Sequence, residues 1–463
     1  MMDHEGRAVF MSLILIKNGI VGRADGSFRG DVLIENGKIR EVGPCIEHEG
    51  AFVTDASGRY VLPGGVDPHT HVSLISAGRS VSDGFEAATR AAVWGGTTTI
   101  VEHPGFVPEG SPLSAAVEDA VKKGRGTSYT DFGVHMVFQG TNGFSEEEVS
   151  ELVRGGHATG KVYTTYDARM EDWQIVPLMR MMERVGGLLL YHAEDDAELK
   201  RLRSDFEARG ITGAGMWPLS RPDFCEADAV SEITALAWGS GAPSYIVHLS
   251  TAQGLQRILE AREKGCEVYA ETCPQYLCLT DELYGEERGL DFIMAPPLRK
   301  KEDCDALWAA LASGDIDTVG TDHCSFSRAD KIKFGSGNVF GTPGGIPGIE
   351  TRMPILFSEG VMKGRISLER FVDVTATAPA RIMGLRDKGS IEPGADADIV
   401  IIDPEQEKTL SVETLHQKVD YTPFEGMRVR GSPSHVWLRG MPMLADGVFV
   451  ADGPCGEFVK RYL

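Results

Sequence analysis

Residues 66–72 read Val66-Asp67-Pro68-His69-Thr70-His71-Val72. Strand alternation puts Asp67, His69 and His71 on one face and Thr70 on the other. Two imidazoles side by side, backed by a carboxylate that can orient them, can make a metal site. A polar strand end with two surface histidines has the same spelling, so the motif needs company. Lys161, Tyr166, His192, His248 and Asp322 supply it. His192 follows Leu188-Leu189-Leu190-Tyr191, His248 follows Ile246-Val247, and Asp322 follows Thr318-Val319-Gly320-Thr321. Histidines and a carboxylate converging from separate strands are what metal-assisted hydrolysis requires. Lys161 is the odd member, because a charged lysine in an interior strand is costly and should be neutral or paired. A neutral amine can add carbon dioxide to become a carbamate, whose two oxygens can bridge two cations. A lysine snorkelling to solvent is the competing reading.

Regular elements must position these residues, and the chain alternates them. After the strand at 66–72, an amphipathic helix over 83–94 stops at Gly95-Gly96. Residues 97–103 are β-branched and strand-like. Further strands are expected at 131–138, 161–166, 188–194, 245–250, 267–272 and 318–322. Helical patterns fall between them at 113–122, 146–154, 172–185, 227–238, 252–264 and 305–311. Eight strands with intervening helices predict an α/β fold, a parallel (β/α)8 TIM-like barrel whose active site lies at the C-terminal strand ends. The metal-type residues all fall at those ends. The two chain termini have another texture: strands at 12–20 and 31–35, a hairpin signal at Asn36-Gly37, and strands again at 398–403, 427–430 and 435–439. We therefore expect a small β-sandwich domain built from residues 11–62 and 388–450, a catalytic barrel over 63–387, and a C-terminal tail at 451–463. Residues 1–10 read as a disordered extension.

Composition bounds the partners. The chain has 463 residues, 42% hydrophobic and 25% charged, which suits a soluble enzyme of one large and one small domain. A formal net charge of −22 speaks against a nucleic-acid partner, since phosphate binding needs a positive patch. No apolar run reaches the roughly 18 residues of a membrane span, and the start lacks a cleavable signal pattern. The eight cysteines show no paired CxxC spacing and read as reduced thiols in a cytoplasmic protein.

The stretches PGGVDPHTH, GKVYTTY, YHAED, VHLSTAQ, ETCPQYLCLTDELY, APPLRKKED and VGTDHCSF resemble, in this order, the cyclic amidohydrolases. The likeness is nearest to their D-hydantoinase and dihydropyrimidinase branch, and SIEPGADADIVIIDP and DYTPFEGMRVRG extend it from about residue 13 to 447. It implies two divalent metal ions, with zinc expected. His69, His71 and Asp322 would hold one, His192 and His248 the other, and carbamylated Lys161 would bridge both. It also implies ring opening of a small cyclic amide, a hydantoin or dihydropyrimidine, to the N-carbamoyl amino acid. Two cations about 4 Å apart lower the pKa of a bridging water. Asp322 would act as general base and then acid, and Tyr166 would donate to the oxyanion. Relatives are commonly homotetramers, so a homo-oligomer is expected by analogy.

Departures refine the substrate. Dihydroorotases carry an arginine two positions after the second histidine, where Ser73 stands here, and the asparagine of their second-strand motif is replaced within Glu102-His103-Pro104-Gly105. Allantoinases share the ligands and a stretch like TTTIVEHP but generally lack the tyrosine at Tyr166; allantoin is the alternative substrate. Scaffold relatives lose the ligands, which are all intact here. The hydantoinase serine before Pro-Pro-Leu-Arg is Ala295, and an asparagine after the eighth strand aligns with Gly344. Both positions would bind the ring amide mainly through backbone. Segments 74–81 and 167–173 should shape the pocket for the exocyclic group, with Met170 and Trp173 either an apolar wall or the start of the next helix. His103, His135 and His323 are read as structural, His323 facing away from Asp322. Asp67 is read as standing behind the ligands.

Overall fold

The computed structural model describes residues 13–76 and 78–463. The extension expected over 1–10, and residue 12 of the first expected strand, lie outside the described residues. The chain forms an α/β fold with parallel sheets, one large and largely antiparallel sheet, and a two-stranded antiparallel ribbon of Ile75–Ser76 and Arg79–Ser80. A three-stranded parallel sheet joins Gly65–Thr70, Thr97–Glu102 and Asp131–Val134. A six-stranded one runs through Met136–Val137, Thr159–Tyr163, Leu188–His192, Ser244–Ile246, Val268–Thr272 and Thr318–Val319. The run 131–137 belongs to both sheets, pairing with the second strand before His135 and with the fourth after it. A parallel bridge links Thr70 to His323, beyond the last strand.

The strands stop earlier than alternation alone predicts. The fourth ends at Tyr163 and the eighth at Val319. The chain leaves the ladder where side chains must turn into one mouth. Tyr166, His248 and Asp322 have φ of 76°, 40° and 52°, a region that non-glycine residues seldom occupy. The helices at Glu146–Arg154 and Asp172–Val185 span the expected residues because their ends are spelled out locally. Ser145 caps the first by accepting from the Glu148 N–H, and a Glu171/Gln174 capping box opens the second.

Two helices near the site have no counterpart in the expected pattern. Asp196–Ala208 follows the fifth strand, capped by Asp195, and buries only Asp196 and Leu199, so it shows almost no apolar period. Arg328–Gly335 follows the eighth strand and is similarly polar.

The second body is a nine-stranded sheet. Strands Leu13–Arg23, Gly26–Glu35, Lys38–Gly43, Phe52–Asp55 and Tyr60–Pro63 join Ile399–Thr409, Arg428–Leu438, Met441–Ala445 and Val448–Phe449, so both chain ends build it. The seam is antiparallel, Tyr60–Pro63 against Ile399–Thr409. Its interior packs Ile14, Ile16, Val32, Ile34, Ile399, Ile401 and Trp437. The last residues return to the parallel sheet: the Phe132 N–H donates to Glu457 O and the Val459 N–H donates to Phe132 O, and buried Arg461 donates to Val134 O and Thr159 Oγ1, both at 2.7 Å.

Lys388 ties the two bodies together. Its buried ammonium donates to Asp131 at 2.5 Å and Asp398 at 2.8 Å, and pairs with Asp396 at 2.9 Å. Burial alone would lower its pKa, but the three carboxylates outweigh burial and raise it. Removing one partner of such a cluster leaves uncompensated buried charge. Lys388→Met is therefore expected to cost about 3–5 kcal/mol, read as a lower urea midpoint with an unchanged slope. An unmoved midpoint would show that these aspartates do not depend on the lysine.

Candidate metal centre and active site

The polar residues at the strand ends converge. His69 Nε2 and His71 Nε2 each lie 3.2 Å from Asp322 Oδ1. Lys161 Nζ is 3.5 Å from His69 Nε2, and His192 Nδ1 is 2.9 Å from His248 Nε2. The His69 and His248 rings stack at 5.4 Å, which joins the two subsets. The four histidines, Lys161 and Asp322 are all buried.

The far nitrogens explain why the near ones are free. His69 Nδ1 faces Glu271 Oε1 at 2.7 Å, His71 Nδ1 faces the His103 carbonyl at 3.2 Å, and His192 Nε2 faces Glu194 Oε2 at 2.7 Å. An acceptor on that side requires the proton there, so the lone pair of each ring points inward. The His69 and His71 lone pairs then face the Asp322 carboxylate, and that of His192 faces His248 Nε2. Acceptor against acceptor is unfavourable in a buried site unless a cation lies between them. The donor set of imidazoles and one carboxylate suits zinc or a similar divalent ion.

Charge states agree with that. Burial pushes the His69 and His248 pKa values well down and lowers that of His192, keeping the rings neutral. Burial lowers Lys161 to about 8, against the pull of Asp322 and Glu271. Part of the Lys161 population is thus a neutral amine near neutral pH. Burial would raise Glu194, yet Arg221 and His192 bring it to about 2, with Arg221 donating to both its oxygens.

The residues singled out in the sequence as ligands, catalytic groups and ring-amide contacts lie at this mouth. A cavity of 560 Å³ is lined by His71, Lys161, Tyr166, His192, His248, Ala295, Asp322 and Gly344. The Tyr166 ring is 5.2 Å from that of His192. Asp67 stands behind, accepting from the His69 and Thr321 N–H groups. His323 turns away to Asp83 at 2.9 Å, and His135 bonds Thr159 and Pro68. His103 stacks on His135 at 3.9 Å, with both ring nitrogens unpartnered among the described residues. Of the two readings of Met170 and Trp173 the helix start is the one observed: Met170 is buried in the core just before the helix, Trp173 is 75% exposed in its first turn, and neither lines the cavity. Leu74, Phe106, Trp217 and Phe340 do. Glu194 and Glu271 carried a readable signal, since Glu194 lies two residues beyond His192, on the same strand face. Trp217 and Phe340 sit in single-turn helices, Met216–Leu219 and Val339–Gly341, too short to show a period, and carried none.

A second group of carboxylates, Asp131, Asp396 and Asp398, has metal-like spacing but already surrounds Lys388.

A family model described as the Amidohydrolase family matches residues 60–443. A D-phenylhydantoinase of Escherichia coli O1:K1 / APEC is 42% identical over 458 residues, covering 97% of this chain and 98% of that protein. Among solved structures, a dihydropyrimidinase from Brevibacillus agri NCHU1002 matches with a TM-score of 0.95 and 39% identity, covering 97% and 99% of the two chains. An L-hydantoinase (dihydropyrimidinase) from Arthrobacter aurescens matches with a TM-score of 0.90 and 29% identity, covering 97% and 100%.

The carboxylate behind His192 gives a direct test. Partners that orient a metal-binding histidine typically contribute about 10- to 100-fold in affinity. Glu194→Gln is expected to weaken zinc binding by that factor, measured by competition with a chromophoric chelator. Unchanged affinity would mean that Glu194 does not hold the His192 ring for a cation.

Proposed function

The chain belongs to the amidohydrolase family, and we propose that it opens 5-substituted hydantoins and dihydropyrimidines to N-carbamoyl amino acids. That it is a metal-dependent hydrolase of cyclic amides follows from its kinship with hydantoinases over nearly its whole length. The observation that carries the ring assignment is the cavity itself. Inward-facing donors form its floor, Tyr166 stands over them, and Leu74, Phe106, Trp217 and Phe340 offer an apolar wall to an exocyclic group.

We read the eight strands as a closed (β/α)8 barrel over 63–387, an assignment supported by the strand order and the Thr70–His323 bridge. The two-ended sheet, 11–62 with 388–450, is read as the small sandwich domain. The eight cysteines, all free, suit the reducing cytoplasm; homotetrameric assembly rests on analogy with the family.

Two divalent ions, with zinc expected, would be held by His69, His71 and Asp322 and by His192 and His248, with Lys161 as a carbamate between them. The metal pair, when bound, supplies Lewis-acid activation of water and of the ring carbonyl. The protein's own residues do the rest. Asp322, ionised at neutral pH, accepts the proton of the attacking water at a carboxylate oxygen and returns it to the leaving ring nitrogen. Burial raises the Tyr166 phenol pKa, so Tyr166 stays protonated and donates a hydrogen bond to the developing oxyanion. Main-chain groups at Ala295 and Gly344 hold the ring amide. Glu271, Glu194 and the His103 carbonyl keep the imidazoles oriented.

A turnover panel of dihydrouracil, hydantoin, 5-phenylhydantoin, allantoin and dihydroorotate tests the assignment. Turnover of the hydantoins and dihydrouracil is expected, and turnover of allantoin alone would replace the reading. Tyr166→Phe should lose about 100- to 1000-fold in kcat while retaining its metal. Wild-type turnover by that variant would remove Tyr166 from the mechanism.

A further inference from the structure

Helix Arg328–Gly335 carries Lys331, whose side chain is fully buried. Among the described residues no carboxylate lies within ion-pairing distance of it. Its Nζ donates instead to two carbonyls, Ile293 O at 2.7 Å and Pro343 O at 3.3 Å. A buried cation answered only by carbonyl dipoles is uncommon, because desolvation is then poorly compensated. Burial accordingly lowers its pKa to about 7. The clamp does not depend on the charge. An ammonium offers three N–H donors and a neutral amine still offers two, one for each carbonyl.

What the two carbonyls have in common is their position. Ile293 lies two residues before Ala295, and Pro343 immediately precedes Gly344 and Gly345; all three of those residues line the cavity. The same stretches meet directly, since the Gly345 N–H donates to Ile293 O at 3.0 Å. Tyr421 braces them from the far side, its hydroxyl 3.3 Å from Gly345 O, and its ring lies 5.8 Å from Lys331 Nζ. The cavity wall on this side is thus two irregular backbone segments fastened by one amine and one main-chain hydrogen bond.

We propose that Lys331 is a positioning residue for substrate binding, setting the spacing between the Ala295 and Gly344 main chains without touching the substrate or the metal-type residues. The proposal rests on the reading above in which those two main chains hold the ring amide. Small displacements of positioning groups carry large kinetic consequences, and a loss confined to ground-state and transition-state binding alike appears in KM rather than kcat.

The test uses full-length, zinc-loaded Lys331→Met, which keeps the length of the side chain and removes its donors. Relative to wild type, KM for 5-phenylhydantoin or dihydrouracil should rise about tenfold or more, with kcat within about threefold. Zinc content should be unchanged, and amide hydrogen exchange should quicken at residues 343–348 but not around His69 and His71. An unchanged KM, or a kcat that falls with loss of zinc, overturns the proposal. If Lys331→Met does not fold, Tyr421→Phe removes only the brace on Gly345 O and should raise KM about two- to fivefold; an unchanged KM there overturns it equally. A wild type that turns over none of these rings would sink the functional reading alone. The clamp would then be decided by exchange at 343–348, where unchanged rates in Lys331→Met overturn it.

Discussion

The centre depends on a seam between segments far apart in sequence. Asp67, on the first strand, and Thr321, just past the eighth, are 254 residues apart, yet the Asp67 carboxylate accepts both the Thr321 N–H at 3.1 Å and its hydroxyl at 2.6 Å. Arg352, fully buried, donates to Val66 O and Val319 O across the same seam. The eighth strand is two residues long and offers few ladder bonds, so side chains take over the pairing. Burial raises the Asp67 pKa, and the Arg352 guanidinium works against that rise. This seam sets Asp322 opposite His69 and His71. Without it the carboxylate and the two imidazoles would have no reason to meet.

The site built on that seam is arranged against its own electrostatics. Imidazoles present lone pairs to a carboxylate, and Glu271 and Glu194 keep the His69 and His192 rings from reversing. Three of the seven positive-φ non-glycine residues among the described residues, Tyr166, His248 and Asp322, belong to this mouth; Asp322 is, like Asn18, Asn36 and Asp446, of a type that tolerates the conformation, whereas Tyr166 is not. Backbone strain and lone-pair repulsion both disfavour the fold locally. A bound cation relieves the second, so metal binding and stability of the strand ends are linked.

Much of this was legible because metal-type residues announce themselves by position. HxH on an apolar strand, histidines ending two further strands and an aspartate ending a fourth pointed to one mouth before any distance was known. Regular elements with strong periodicity, such as Glu146–Arg154, were equally clear. The helix Asp196–Ala208 was not, because a surface helix that buries two side chains has no apolar period to read. Trp173 left two readings open, pocket wall or helix start, and it lies in the first turn of a helix whose buried face is Ile175, Leu178, Met179 and Met182. Lys331 was invisible for a similar reason. Nothing in a polar stretch distinguishes the one lysine that points inward from its neighbour Lys333.

The paired glycines at 344 and 345 separate what the fold demands from what the substrate would feel. At Gly345, φ is 138° and a Cβ would come within 2.6 Å of Cys324, so glycine is required whatever is bound. At Gly344 a Cβ would meet nothing within 4 Å, and φ is not in the left-handed range. The fold therefore permits a side chain at 344, including the asparagine that the resemblance to hydantoinases implies there. Its absence leaves the backbone donor and acceptor in place while removing bulk from the cavity lining. In the proposed role this position keeps its grip on the ring amide through main-chain groups and enlarges the space beside it. The departure from the family pattern thus bears on how large a ring substituent fits, and leaves the chemistry of ring opening to the residues at the strand ends.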